Sequence, residues 1–384
     1  MSLINKPKVF YKPNSPNAMK LGTRFIKNLS ERGIVVIVWL AVFAAASVFS
    51  LSCTRFKYNK STSPDNGGPS HASAKPELFL PKPGDITSAK SGDVFKPWDE
   101  KDIVVTKFIK LTDSLGGSYE SIGKSSTSPR SSYSKPWDIV LFKYGNPTKP
   151  AILVDAHMHG NEFHGYEVLY TIIKWLLSGN DDYAKNILEN NYILVIPCLN
   201  YRWSRGNFNI DPRMTVTGPS DLEKNGVNLN RNFGPRHDST FLDKDSYGGK
   251  FPDSENESKA LISAWEKYHP KVYWNLHQGA VPYTSCTAST PVQLIIANKI
   301  KDIYGTIQGK LGVDSVNMAT FRISNHFSTG LAVSGASSMG SVGFLTEVYK
   351  SWRNYDDIRS SLNNGLQYKQ YKALFIASCL MIQE

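Results

Sequence analysis

His159 and Glu162 stand three residues apart in His157-Met158-His159-Gly160-Asn161-Glu162-Phe163-His164, a spacing that brings an imidazole and a carboxylate to one face of a turn or helix start. Such a pair can share one metal ion. Alone it says little, because a chain with 8 His and 33 acidic residues holds roughly 0.7 such pairs by chance. A second imidazole, His277, follows the apolar run Lys271 to Leu276 and is expected at a strand end. Two His and one carboxylate leave a fourth coordination position open to water, the arrangement of a catalytic rather than a structural zinc site. Water activated there needs a base. Glu347 lies in the run Val342 to Val348, where a carboxylate is costly unless it is paired or does chemistry, so it is the candidate proton acceptor. Asn228-Leu229-Asn230-Arg231-Asn232-Phe233 sets a planar guanidinium among amides, which suits a bidentate grip on a carboxylate.

The elements that must position these residues are legible in the apolar patterning. Ile103 to Ile109, Trp137 to Phe142, Ala151 to Ala156, Tyr192 to Leu199, Lys271 to Leu276 and Val342 to Val348 read as strands. Tyr166 to Leu177, Ser254 to Tyr268, Val292 to Ile307 and Asp356 to Cys379 read as helices. Strands such as Ala151-Ile-Leu-Val need cover on both faces, so residues 99–384 are expected to form one α/β domain with a mixed, mainly parallel central sheet and helices on both faces. His159, His277 and Glu347 would then lie toward the carboxyl ends of strands, where open α/β sheets bind their ligands.

The net charge of +11 sits at one end. Residues 1–60 hold ten Lys/Arg against Glu31 alone, which leaves +2 for the rest and argues against nucleic acid as a partner. Gly33 to Thr54 is uncharged, and its 22 residues reach roughly 33 Å as a helix, enough to cross a hydrocarbon core of about 30 Å. Residues 33–53 are therefore expected to be a transmembrane helix. Seven Lys/Arg precede it, which would leave 1–32 as a basic cytoplasmic tail and the remainder extracytoplasmic. A cleaved secretory signal or a lipid anchor at Cys53 are the alternatives. The Pro, Gly and Ser of residues 54–98 read as a linker. Of the four cysteines, Cys198 and Cys286 could bridge outside the cell, or Cys198 could be a small buried hydrophobe. No sequence feature sets an oligomeric state.

Taken in order, the motifs resemble those of the zinc metallocarboxypeptidases of the carboxypeptidase A/B type. His159-x-x-Glu162 matches that family's zinc pair, His277 its third ligand, and Asn228-Leu-Asn-Arg-Asn-Phe its D-x-N-R-N-[FW] segment. Ser246 to Glu255 is similar to the stretch and helix start that precede the third ligand. The resemblance covers roughly residues 100–380 and implies one Zn2+ per chain, a peptide or protein C-terminus as substrate, and hydrolysis of the last peptide bond. It implies that Glu347 is general base and then acid, that Arg213 stabilises the oxyanion, and that Asn230 and Arg231 bind the terminal carboxylate. In three places the chain departs from the family. Asn228 replaces the Asp that supports the first zinc His, no capping Tyr is matched in Ser328 to Ser338, and the loop Ser334 to Gly340 is shortened. The Gly-Asn-Glu form of the first motif also resembles N-acyl amino acid deacylases of the aspartoacylase type. His157-x-His159 could belong to an amidohydrolase barrel, and an inactive peptide-binding module would use the same groove.

Overall fold

Eight strands and seven helices account for most of the residues described in the computed structural model: 75–80, 104–126, 136–159, 162, 164–201, 227–234, 237, 247–279, 283–313, 320–325, 330–349 and 365–383. All fall in one unit, Ala74–Glu384. In chain order they are α1 (Val104–Leu115), β1 (Ser118–Lys124), β2 (Asp138–Gly145), β3 (Ala151–Ala156), α2 (His164–Ser178), α3 (Asp182–Asn190), β4 (Tyr192–Ile196), α4 (Asn256–Tyr268), β5 (Val272–Gly279), β6 (Tyr283–Thr287), α5 (Pro291–Lys310), β7 (Thr320–Ser324), α6 (Ala332–Ser338), β8 (Val342–Tyr349) and α7 (Leu366–Met381).

One mixed sheet runs in the order β1-β2-β4-β3-β5-β8-β6-β7. The central pairs β4/β3, β3/β5 and β5/β8 are parallel, while β1/β2, β2/β4 and β6/β8 are antiparallel. Side chains alternate between two cores, as the period of a strand requires. Ile152, Val154, Trp274, Leu276, Val342 and Phe344 face one core with α1, α2, α3, α5 and α7. Leu153, Tyr273 and Leu345 face the other, beneath α4 and α6. The expected α/β sheet covered on both faces is thus observed. Trp274 Nε1 donates to Thr346 Oγ1 at 2.7 Å, tying β5 to β8 where their side chains carry the site.

One expectation is corrected and two are refined. Within the run Ile103 to Ile109, rich in β-branched residues, Val104 to Ile109 forms the start of α1 rather than a strand. Val104, Val105, Phe108, Leu111 and Thr112 are its buried residues, a helical spacing that appears only when the window extends past Ile109. Cys198 and Cys286 are not bridged; both are free and buried, and Cys198 lies among apolar neighbours. Part of the expected linker also belongs to the domain: Leu78 and Leu80 pack on the core, and Phe79 and Asp138 exchange backbone and carboxylate hydrogen bonds. Residues 33–53 lie outside the described residues. Among those described, no helix is long and apolar enough to cross a membrane.

Candidate metal centre and active site

β3 ends at Ala156, and its exit is fixed by the 198–200 segment. Leu199 N–H donates to Ala156 O, Asn200 N–H to His157 O, and the Asn200 side chain to Met158 O. His157 takes a left-handed φ of 55° there, and its Nδ1 pairs with Asn200 O at 2.8 Å. The turn closes when Glu162 N–H donates to His159 O at 3.0 Å, so the spacing of three puts both side chains on one side.

His277 is contributed by β5, and three donor groups converge. Glu162 places Oε1 2.8 Å from His159 Nδ1 and Oε2 2.8 Å from His277 Nδ1. One ligand atom from each of the three residues lies within 4.8 Å of the others. The backbone N–H of Gln278 adds a hydrogen bond to Glu162 Oε2 at 3.2 Å. Burial alone would raise the Glu162 carboxyl, but the charges and hydrogen bonds of the two imidazoles outweigh it and hold the group well below the ordinary carboxylate range. Burial lowers His277, and Glu162, Glu347 and Asp155 more than reverse that.

Both ring orientations are set from behind. Asn228 Oδ1 accepts the backbone N–H of Asn230 at 3.0 Å, which fixes the amide oxygen toward His159 Nε2, 3.1 Å away. His159 then carries a proton on Nε2, which leaves Nδ1 as the atom it would offer to a metal ion. Asn228 thus supplies what the family's Asp would, with a neutral oxygen. The turn bearing it, Leu229–Arg231, is held by Asn232, whose amide donates to Gly248 O and Ser254 Oγ and accepts from Glu255 N–H. This bonding joins the motif of residues 228–233 to the start of α4.

Glu347 and His277 are register partners in the parallel β5/β8 pair and share a face. Burial raises the Glu347 carboxyl; His277 lowers it and Glu162 raises it again, with a net rise. Gly279 makes room for that carboxylate: a Cβ at Gly279 would stand 2.7 Å from Glu347 Oε2. Asn230 is 4% exposed. Its Oδ1 accepts from Ala332 N–H at 3.0 Å, and its Nδ2 lies 3.1 Å from His277 Nε2. The half-buried Arg231 directs Nη1 to Asn230 O at 2.8 Å. Arg213 lies outside the described residues.

His159, Glu162, His277 and Glu347 therefore meet as expected. His157 does not join them, and the open sheet excludes an amidohydrolase barrel. Sequence reasoning missed Asp155 and Asn275, both fully buried on the sheet face that carries the site. The signal was present: Asp155 interrupts an apolar strand just as Glu347 does.

The fold and donor set resemble those of metallocarboxypeptidases, and the comparisons with known proteins point the same way. Residues 108–293 match the zinc carboxypeptidase family. Carboxypeptidase E of Caenorhabditis elegans is 35% identical over 107 residues, 27% of this chain; the match spans 22%, about a fifth, of that relative's length. Thrombin-activatable fibrinolysis inhibitor superposes with a TM-score of 0.57 at 14% identity, over 73% of this chain and 72% of that one. Carboxypeptidase A of Helicoverpa armigera gives 0.54 at 15% identity, over 75% and 74%. The match to the zinc carboxypeptidase family takes in residues 108–293, just under half of the chain. Zinc is that family's metal, and two imidazole nitrogens with one carboxylate are a donor set that fits it.

Proposed function

We propose that this chain is a membrane-anchored, zinc-dependent carboxypeptidase that removes residues from the C-termini of peptides or proteins outside the cytoplasm. The observation that carries the reading is the convergence of His159, Glu162 and His277 within 4.8 Å with Glu347 registered beside His277. Zinc held by these three ligands would supply Lewis acidity and a water of lowered pKa. Glu347 takes the proton of the attacking water and returns it to the leaving amine, a role favoured by a carboxyl that burial raises and so makes a better proton acceptor. Arg213, on the family resemblance, holds the developing oxyanion. Arg231 grips the substrate carboxylate. Asn230, buried with its oxygen committed to Ala332 N–H, serves chiefly to hold the turn that presents Arg231. The anchor rests on the uncharged span and the charge bias before it.

The test is cleavage of matched free-acid and C-terminally amidated peptides by the full-length, zinc-loaded protein in detergent. Free-acid peptides should lose single C-terminal residues while amidated ones resist. Arg231→Ala should cost the free acids about 2–5 kcal/mol in kcat/KM and the amides little, the usual penalty for losing one partner of a desolvated charge pair. Equal cleavage of both by wild type would replace this reading with an endopeptidase or an N-acyl amino acid deacylase.

A further inference from the structure

Asp155 and Asn275 are Cα partners in the parallel β3/β5 pairing and point to the same side as His277, two residues beyond Asn275. Both are 0% exposed. Asn275 Nδ2 donates to both Asp155 carboxylate oxygens, at 2.9 and 3.1 Å, while Asn275 Oδ1 meets His277 Nε2. We propose that Asp155 is a positioning residue for the metal centre: acting through Asn275, it keeps the His277 proton on Nε2 and the Nδ1 lone pair turned to the metal. The inference deepens the reading of this site as a zinc centre and rests on it.

Two amides compete for His277 Nε2. Asn230 is oriented by Ala332 N–H so that its NH2 group faces the ring nitrogen at 3.1 Å. That contact favours an unprotonated Nε2 and hence a proton on Nδ1, which cannot then bind metal. Asn275 favours the opposite tautomer, but only while its oxygen faces the ring. An amide can turn over at little cost unless its two ends meet different partners. The Asp155 carboxylate accepts only, so it fixes the NH2 end of Asn275 toward itself and the oxygen toward His277, and it polarises that oxygen to accept more strongly. The first histidine has lost its carboxylate support, because Asn228 stands behind His159. A carboxylate instead stands behind the other histidine, one residue further removed.

The experiment measures zinc affinity of the full-length protein by competition with a chelator, together with melting temperature in the absence of metal. Asp155→Asn, nearly isosteric, should weaken zinc binding about 10- to 100-fold, the usual effect of losing such support, while leaving the metal-free melting temperature essentially unchanged. The swap Asp155→Asn with Asn275→Asp moves the carboxylate directly onto His277 Nε2 and should recover most of the affinity. Unchanged affinity in Asp155→Asn, or a swap that binds no better than the single variant, would overturn the inference. So would a fall in metal-free melting temperature with unaltered zinc binding, the mark of a purely structural residue. Wild-type protein that binds zinc but cleaves no peptide would remove the carboxypeptidase reading and leave this inference standing.

Discussion

Glu347 and Gly279 make the proposed base a geometric claim as well as a chemical one. Glu347 ligates nothing in the His159, Glu162, His277 set, so Glu347→Gln should retain zinc and lose turnover by about 10²–10⁴-fold. Metal content measured alongside kcat separates that outcome from a lost site. Gly279→Ala is a milder probe. The added Cβ falls 2.7 Å from Glu347 Oε2, and the carboxylate must shift by several tenths of an ångström to relieve it. We expect kcat to fall about 10- to 100-fold with zinc affinity unchanged, since misplacement on this scale is costly in catalysis; full activity would mean that Glu347 is not held where it acts. Residue types and spacing pointed to the proposed ligands and base because His277 and Glu347 follow or interrupt apolar runs and His159 and Glu162 stand three apart. Asn228 and Asn275 could not be assigned that way. An amide gives no signal of which end it offers until its second partner, Asn230 N–H or the Asp155 carboxylate, is known.

Elements that are long and strongly apolar, such as β3 and β5, were legible to within a few residues, and so was the body of α5. The ends were set by caps that composition does not show: Thr290 and Gln293 form a reciprocal capping box ahead of Pro291, which starts α5 one residue before the apolar pattern does. Edge strands escaped notice because Ser118–Lys124 is half-exposed and polar with no clear alternation, while Thr320–Ser324 alternates over only five residues. The short helix α6, made of small residues, has no periodicity to read. One element contact gives a pH prediction. Glu257 on α4 is buried and accepts Ser126 N–H at 2.8 Å and Ser126 Oγ at 2.6 Å, joining the end of β1 to the helix. Burial pushes its carboxyl up to about 7 despite those hydrogen bonds. A carboxyl raised from roughly 4.3 in the unfolded chain binds protons more tightly when folded, so its contribution is fullest below about pH 4.3 and declines as pH rises toward 7. Glu257→Gln should flatten that decline, worth on the order of 2–3 kcal/mol across the interval. Denaturant titrations at pH 5 and pH 7 check it: equal slopes with pH in variant and wild type would mean that Glu257 titrates normally.

For the whole molecule, the remaining prediction concerns the proposed membrane anchor and the side on which it would place the domain. The domain from Ala74 onward holds its three described cysteines free and buried, so its fold does not depend on an oxidising compartment, and cysteine chemistry does not decide the question. The prediction rests on the charge distribution. Seven cationic residues lie before the uncharged segment that starts at Gly33, and Arg55, Lys57 and Lys60 follow it. The larger count on the N-terminal side favours retention of residues 1–32 in the cytoplasm, since short flanks orient a span by their Lys and Arg. A 32-residue basic flank is also longer than the charged region of an ordinary cleaved leader. Protease added to intact cells should therefore digest the domain while an epitope placed before Lys6 stays protected and membrane-bound. Adding Lys residues just after Cys53 should weaken or invert that pattern, because the orientation depends on the difference between the two flanks. A protected domain with an accessible N-terminus would reverse the topology, and a mature chain beginning near Cys53 would replace the anchor with a cleaved leader or a lipidated cysteine.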